Sequence, residues 1–376
     1  MTMSQLNDAG PSSVSPPNSS STTSKAEKPK KNKPKASRLR QQKLPAWQPI
    51  LNASTVIPMI FAVGIVFLPI GIVLFLASNG VSEYDFVYTC NRTIKTDPDD
   101  FKPPGAQPNM CKLNFTLPED FNGDVYFYYR LENYFQNHRR YLKSRSDKQL
   151  LGDLNAVADC SPYDRVKDSS GNELVYAPCG AIANSMFNDT FNLYYQHPNS
   201  GQSVPVPWTY KGVVWEIDRD VKFKNPNGIA SRESFKNTVK PRNWLKNVWE
   251  LSDYPDNNGF LNSELIVWMR TAALPDFRKL YRILDRTTGE RLFEKKLPAG
   301  NYFLQVEDNY PVDAFNGKKH FILSTTSWAG GKNSFLGITY MVVGSLCILL
   351  GLIFLVIHIN FGSSLRELAS IQESIN

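Results

Sequence analysis

The segment VIPMIFAVGIVFLPIGIVLFLA, Val56–Ala77, decides the fold of this chain together with a second apolar segment, LGITYMVVGSLCILLGLIFLVI, Leu336–Ile357. A helix that rises 1.5 Å per residue crosses a hydrocarbon core of roughly 30 Å in about 20 residues, so each segment is long enough to span a membrane. Backbone amides find no hydrogen-bond partners in lipid, which requires both segments to be helical. The predicted order is a tail of residues 1–55, a helix over 56–77, a domain over 78–335, a helix over 336–358 and a tail of 359–376.

Positive charge is concentrated immediately before the first predicted span. The chain has a formal net charge of +7, and residues 1–55 alone hold nine Lys or Arg against Asp8 and Glu27. The positive-inside rule places this tail in the cytosol, and two spans return the C-terminus to the same side. The basic stretch is too long and the apolar segment too complete for a cleaved signal peptide, so an uncleaved signal-anchor is predicted. The middle domain is therefore expected to be lumenal or extracellular.

The basic tail has three possible roles. A run of Lys and Arg is typical of nucleic-acid contacts or nuclear signals, but a span directly behind it favours anionic lipid headgroups, at about 1 kcal/mol per basic residue. The third interpretation is that the charge only fixes the topology. We expect no nucleic-acid partner. Residues 1–36 have a disordered composition, and Trp47 suits the headgroup boundary or contact with a partner protein.

Four of the five cysteines lie in the middle domain. An even number in an oxidising compartment indicates two disulfides, and three connectivities are possible. The pairing Cys90–Cys111 and Cys160–Cys179 is favoured because each pair brackets a loop rich in Pro, Asp and Asn. Cys347, inside the second span, is interpreted as a packing residue.

Three N-x-[ST] sequons begin in the same domain, at Asn91, Asn114 and Asn188. Sequons arise often by chance, so each alone is weak evidence for a glycan. Their position on the side predicted to be lumenal supports N-glycosylation of all three. The sequons at Asn18 and Asn52 fall on the cytosolic side and are expected to stay unmodified.

The pattern of the middle domain is that of antiparallel β structure with long loops, similar to a β-sandwich, and its 258 residues suffice for a separate core. A helix is predicted over Asn133–Lys143. Runs of β-branched and aromatic residues, separated by Pro and Gly, predict strands at Val125–Leu131, Leu265–Ala272, Phe277–Leu284, Tyr302–Val306 and Phe321–Thr326.

Motifs for catalysis are absent from the sequence. It contains no phosphate-binding loop, no H-E-x-x-H, no G-x-S-x-G and no dinucleotide fingerprint. We therefore expect no catalytic residue, no metal and no cofactor, apart from N-linked glycans.

Small residues recur every seven positions in both spans. Gly64, Gly71 and Ser78 form one stripe, and Gly337, Gly344 and Gly351 form the other. Seven residues are nearly two helical turns, so each set follows one helix face. Small residues let helix backbones approach closely in lipid. We favour contact with the helices of a partner protein; the alternatives are packing of the two stripes on each other and the ordinary abundance of glycine in spans.

Several long strings resemble one known family. They are RQQKLPAWQP before the first span, YFQNHRRY from Tyr134, CGAIANSMFNDT from Cys179, NWL from Asn243, DYP from Asp253, VWMR from Val267 and STTSW from Ser324. With the topology, these strings closely resemble the cell division control protein 50 (ligand-effect modulator) family. The likeness covers roughly residues 38–360.

That resemblance implies a function that the motifs alone do not indicate. Members of the family are non-catalytic β-subunits of type-IV P-type ATPases, which flip aminophospholipids to the cytosolic leaflet. The implied role is to escort one ATPase, bound one-to-one, out of the endoplasmic reticulum and to support its transport, with residence between there, the Golgi, endosomes and the plasma membrane. The disulfides of the family match Cys90–Cys111 and Cys160–Cys179.

Two other functions are compatible with this topology. A subunit of a two-span ligand-gated ion channel shares the cytosolic ends and the disulfide-bonded ectodomain, but the spans here lack a polar pore line. A membrane-anchored lumenal enzyme is the other, and no motif supports it.

Overall fold

The computed structural model describes residues 37–40, 44, 52–90, 109–198 and 201–373, with side chains as far as residue 362. Trp47, Asn18, Asn91 and the lysines of the tail lie outside the described residues, and the predictions made for them stay predictions. Residues 1–55 form one unit and 56–376 another.

Two long helices begin and end the described part of the second unit. The helices are α1 (Ala53–Asn79), α2 (Arg139–Lys143), α3 (Asp147–Leu150), α4 (Ala181–Asn184), α5 (Ser263–Met269) and α6 (Phe335–Glu373). α1 and the part of α6 over 335–362 are both long and apolar enough to cross a membrane. Both extend past the predicted spans, and α6 continues through the segment predicted to be a short tail.

The described residues between the long helices form fourteen strands. In chain order they are β1 (Glu83–Tyr88), β2 (Asn109–Leu117), β3 (Phe121–Asn122), β4 (Tyr126–Leu131), β5 (Arg165–Lys167), β6 (Glu173–Tyr176), β7 (Thr190–Gln196), β8 (Ser203–Pro205), β9 (Trp208–Thr209), β10 (Thr238–Val239), β11 (Phe277–Leu284), β12 (Lys296–Leu297), β13 (Gly300–Asp308) and β14 (Lys319–Ser324).

Two antiparallel sheets form the body of the ectodomain. One has the order β1-β14-β4-β11-β9 and the other β2-β13-β7-β8. Period-two burial produces this arrangement: in β4, Phe127, Tyr129 and Leu131 are buried and alternate with half-buried residues. Smaller sheets, β10-β6-β5 and β12-β3, lie beside them.

Aromatic side chains fill the space between the two large sheets. Phe191 of β7 lies 5.0 Å, between ring centroids, from Phe321 of β14 and 5.1 Å from Tyr281 of β11. Phe115 of β2 likewise lies 4.9 Å from Phe86 of β1. These contacts make the ectodomain sandwich-like, because inner faces of two sheets share one core. The predicted fold class, a two-pass helical membrane protein with a β-rich, disulfide-bonded ectodomain, is confirmed.

Both favoured disulfides are present. Cys90–Cys111 joins the end of β1 to β2, and Cys160–Cys179 joins a 3-10 turn to the residue before Gly180 and α4, with Cα–Cα distances of 5.7 Å in each. Cys160 and Cys179 are both buried, in a small cluster with Val157, Val175 and Tyr176.

Two local predictions were wrong. Leu265–Ala272 is not a strand: Ser263–Met269 is helical, with Asn262 accepting a hydrogen bond from the Leu265 amide as its N-cap. Asn133–Lys143 is helical only from Arg139: Asn133 adopts a left-handed φ of 60°, and the extended backbone of His138, with a ψ of 130°, sets the start of the helix.

The remaining predicted strands are confirmed within a few residues. Phe277–Leu284 has the bounds of β11, and Val125–Leu131 begins one residue before β4. Tyr302–Val306 lies inside β13, and Phe321–Thr326 overlaps β14, which begins and ends two residues earlier.

Candidate partner-binding site

The glycine stripes of the two spans pack on each other. A Cβ added at Gly71 would lie 2.7 Å from the Met341 backbone nitrogen and 2.9 Å from the Gly337 carbonyl oxygen. One added at Gly344 would lie 2.8 Å from the Leu68 backbone nitrogen. Only hydrogen fits at these positions, which permits the close backbone approach expected of small residues in lipid.

The rest of the stripes follows the same seam. A Cβ at Gly64 would lie 3.0 Å from the Gly344 carbonyl, and one at Gly351 would lie 3.0 Å from the Phe61 ring. At the ectodomain end, the Ser78 hydroxyl accepts a hydrogen bond from the Asn333 amide at 2.9 Å. The seam therefore runs the length of the paired helices.

This seam corrects the interpretation that we favoured for the five glycines. The two helices pack on each other through the faces that carry Gly64, Gly71, Gly337, Gly344 and Gly351. A partner's helix would instead meet the outer faces of the pair. Those faces carry large exposed side chains, among them Ile65, Val66, Leu76, Leu346, Leu349 and Leu352.

A buried ion network ties β14 to the end of β13 and to the residue before β7. Lys319 is 1% exposed, and its ammonium lies 2.6 Å from an Asp189 oxygen and 2.7 Å from an Asp308 oxygen. It also donates to the Tyr310 carbonyl at 2.9 Å. Two carboxylates share one cation, so each buried charge has a partner, as low dielectric surroundings require.

Three further donors form hydrogen bonds to the Asp189 carboxylate. Burial raises the pKa of Tyr88 well above its usual value, so its hydroxyl is protonated and donates to Asp189 at 2.8 Å. The backbone amides of Asn309 and Tyr310 each donate to the other carboxylate oxygen at 2.6 Å. This network was not predicted from the sequence. One sequence signal for it is the two-residue alternation of a strand, which places Lys319 on the same face of β14 as the apolar residues Phe321 and Leu323.

A second buried lysine, Lys279 of β11, reaches the C-terminal end of α5 with its ammonium. Burial lowers the pKa of Lys279 to about 7. Its ammonium donates to the carbonyls of Val267, at 2.9 Å, and Trp268, at 3.1 Å. A further bond reaches the Arg270 carbonyl. Lys279 therefore satisfies carbonyls that the end of a helix leaves open.

Two of the predicted glycan acceptors lie among the described residues. Asn114 is exposed on β2, an edge strand of the four-stranded sheet, where an attached sugar would meet no neighbouring strand. Asn188 is half-buried, and its side-chain oxygen is buried without a hydrogen-bond partner in the described part. Asn52 is exposed. Glycosylation itself stays a prediction at each site.

Within the described ranges, no group of three or more His, Cys, Asp or Glu side chains is arranged to hold a metal ion. The paired spans, the ion network and the disulfides each join segments that lie apart in the chain. Together they define a class of protein: a two-span membrane protein whose spans pair directly and carry a disulfide-bonded β-sandwich ectodomain between them.

The chain belongs to a known family of this class. The sequence model of the LEM3 (ligand-effect modulator 3) family / CDC50 family matches residues 74–364, which include the last residues of the first span, the whole ectodomain and the second span.

Relatives from animals and plants agree with this membership. The chain is 49% identical to "Cell cycle control protein 50A" of Bos taurus, over 86% of this chain and 89% of that protein. It is 46% identical to "Cell cycle control protein 50B" of Homo sapiens, over 85% and 92%. A plant relative, "Putative ALA-interacting subunit 4" of Arabidopsis thaliana, is 39% identical over 86% and 89%.

Proposed function

We propose that this protein is the non-catalytic accessory β-subunit of a type-IV P-type ATPase that flips aminophospholipids to the cytosolic leaflet. The observation that carries the proposal is the family match over residues 74–364, combined with a relative whose name describes an interacting subunit. The role includes escort of one ATPase, bound one-to-one, from the endoplasmic reticulum to the Golgi, endosomes or plasma membrane.

The distribution of charge supports an accessory rather than an energy-coupling role. An ion-driven carrier needs ionisable groups inside its spans, and here the segment of α6 over 336–358 contains only His358, near one end. ATP-driven transport needs a nucleotide-binding domain, and the sequence contains no phosphate-binding loop. Binding to an ATPase supplies the missing energy source and can bias its conformations through differential affinity.

The topology in the proposal places both termini in the cytosol and the ectodomain in the lumen or outside the cell. The basic tail then faces the anionic leaflet, where its lysines and arginines contact lipid headgroups. The ectodomain and the outer faces of the helix pair are the surfaces available to the ATPase. The ion-channel alternative receives no support from the spans, whose outer faces are apolar and whose inner faces close on each other.

Reconstitution tests the proposal. ATPase purified with this chain should flip labelled phosphatidylserine in an ATP-dependent manner, while this chain alone and the ATPase alone should not. In cells that lack the chain, the ATPase should stay in the endoplasmic reticulum, and blue-native gels of complemented cells should show a one-to-one complex. Unaided flipping by the chain, a homotrimer on the gels, or normal export of the ATPase without the chain would each refute it.

A further inference from the structure

A cavity of about 750 Å³ opens at the edge of the five-stranded sheet. Its walls come from β9 and the two residues after it, from the end of β11 with the following turn, and from the loop over 252–257. The volume is in the range of a small-molecule site. Neither the ion network nor the helix seam involves it.

Aromatic side chains supply broad apolar faces in this cavity. The Tyr210 and Tyr254 rings lie with centroids 5.3 Å apart at an interplanar angle of 44°. Tyr254 is 60% exposed, a large open area for an aromatic ring. Trp208 forms another part of the wall and is fixed from behind, because its ring packs edge-on against Phe127 at 5.3 Å and Tyr281 at 5.8 Å.

Polar groups with unused hydrogen-bonding capacity lie among these rings. The Tyr210 hydroxyl donates to one Asp256 oxygen at 2.8 Å, which leaves the other oxygen available. Asn257 is 3% exposed, and its side-chain oxygen accepts from the Ser263 amide at 2.9 Å. Its side-chain nitrogen has no acceptor among the described residues, and neither has the Lys211 ammonium. The cavity therefore offers both donors and acceptors to a ligand.

The charges of the cavity balance. Asp256 and Asp285 of the lining are matched by Lys211 and Arg282. Glu264, the partner of Arg282, is offset by Arg219, whose guanidinium donates to the Asp256 carbonyl. A site for a simple anion or cation would carry an excess of the opposite charge. Balanced charge, paired donors and acceptors, and open aromatic faces fit a neutral ligand that is rich in hydroxyl groups and has an apolar ring face.

We propose that this cavity binds carbohydrate, with a hexose ring stacked on Tyr254 and its hydroxyls hydrogen-bonded to Asp256, Asn257 and Lys211. Each sugar hydroxyl is both donor and acceptor, so one hydroxyl can bridge a carboxylate oxygen and an ammonium or amide group. The C–H groups of the ring face the electron-rich face of the tyrosine. This proposal is independent of the proposed ATPase partnership.

The position of the cavity bears on where the sugar comes from. Strand register connects Glu83, Ser324, Tyr126, Ile283 and Thr209 as one row across the sheet. Glu83 follows the end of α1 by four residues, so this row, and the cavity with it, lies at the end of the sheet that connects to the spans. Four strand spacings, roughly 19 Å, separate Thr209 beside the cavity from Glu83. Two sources of hexose can reach such a place: an N-linked glycan of a membrane protein and the headgroup of a glycolipid.

Ligand-observed NMR on the full chain in nanodiscs, after enzymatic removal of its own glycans, tests the proposal. One arm adds an oligomannose N-glycan released from protein, and the other places glucosylceramide in phosphatidylcholine nanodiscs. We expect saturation transfer to hexose protons in at least one arm, and the responding arm identifies the source. Tyr254→Ala should weaken binding about tenfold, the loss of roughly 1.4 kcal/mol. Asp256→Asn should also weaken it while still accepting the Tyr210 hydroxyl.

Phe135→Ala is the matched control, because Phe135 is a 55% exposed aromatic residue that does not line the cavity. Its affinity for the hexose should equal that of the unchanged chain, and thermal unfolding of all variants should be similar. The proposal is overturned by no transfer in either arm, by equal binding of Tyr254→Ala and the unchanged chain, or by transfer only to the phosphocholine headgroup.

Discussion

At the scale of single residues, Lys319 shows how a charged side chain serves the core of the ectodomain. It is held between Asp189 and Asp308 with 2% or less of its side chain exposed. Its neighbour Lys318 is exposed, so two adjacent lysines have opposite environments. Lys318 lies just before β14, whose six residues are all buried. The ion network gives Lys319 partners that a surface lysine does not need.

Lys319→Met should therefore destabilise the ectodomain strongly. Removal of one member of a buried ion pair typically costs about 3–5 kcal/mol, because the remaining charges lose their partner. We expect retention in the endoplasmic reticulum and a lower midpoint of thermal unfolding. Lys318→Met is the control and should leave both unchanged. Equal thermal midpoints for the two variants would show that the network contributes nothing to stability.

Lys279 should give the ectodomain a pH-dependent stability. Its pKa is about 7 in the folded state, below the usual 10.5, because burial disfavours the ammonium. Between these two pKa values the unfolded state therefore binds more protons than the folded state. The free energy of unfolding is highest above pH 10.5, decreases as the pH is lowered from 10.5 to about 7, and levels off below that. The slope is at most about 1.4 kcal/mol per pH unit.

Denaturant unfolding at pH 7.5 and 9.5 measures this slope. The unchanged chain should gain stability at the higher pH relative to Lys279→Met, which has no titrating group at this position. Lys295→Met, which removes an exposed lysine, should show the same pH dependence of stability as the unchanged chain. Parallel pH profiles for the unchanged chain and Lys279→Met would contradict the assignment.

At the scale of elements, the seam between α1 and α6 depends on glycines, which have no side chain to separate the two helices. Gly344→Leu places a large side chain where a Cβ would already lie 2.8 Å from the Leu68 nitrogen. We expect the helices to separate, which should reduce co-purification of the ATPase several-fold while glycosylation remains. Ser345→Leu, on the exposed face of the same turn, is the matched control for the seam, and the packing of its two helices should be unchanged.

Cross-linking separates a seam defect from loss of a partner surface. The rings of Phe67 and Tyr340 lie 4.9 Å apart between centroids. Cysteines at these two positions, in a chain with Cys347→Ser, should be joined by a short bifunctional thiol reagent unless Gly344→Leu is also present. Efficient cross-linking in the presence of Gly344→Leu would return the glycine stripe to the partner-contact interpretation.

The Cys160–Cys179 bridge should matter far more than the thiol of Cys347. Loss of a native disulfide typically costs about 2–5 kcal/mol, a large part of the marginal stability of a domain. Cys179→Ser should therefore reduce surface expression and protease resistance, whereas Cys347→Ser, within α6, should retain both. Similar protease resistance of the two variants would show that the bridge is dispensable.

One segment of the ectodomain, predicted as a strand and found as a helix, shows where sequence patterns are ambiguous. The run Leu265–Ala272 is apolar and β-branched, which is typical of a strand. Its helical conformation depends on Asn262 as N-cap and on a core that accepts Leu265, Ile266, Trp268 and Met269 together. Tertiary packing decides such cases, because short apolar runs fit either period.

At the scale of the whole molecule, the orientation in the membrane can be tested by its glycans. Asn91→Gln, Asn114→Gln and Asn188→Gln should each remove one glycosidase-sensitive mass step, because the basic tail fixes these sites on the lumenal side. Asn52→Gln should leave the mass unchanged and serves as the matched control. A glycan mapped to Asn52 or Asn18 would reverse the predicted topology.

The sequence by itself determined the two spans, the β-rich ectodomain between them and the family, and it favoured the disulfide pairing that the structure confirms. These follow from local or one-dimensional properties: apolar length, charge asymmetry, alternation and long shared strings. Only the tertiary structure decided that the glycine stripes face each other, that Lys319 is held by Asp189 and Asp308, and that three distant segments enclose a cavity. Each of these depends on residues brought together from far apart in the chain, and no pattern along one segment specifies its partner across the fold.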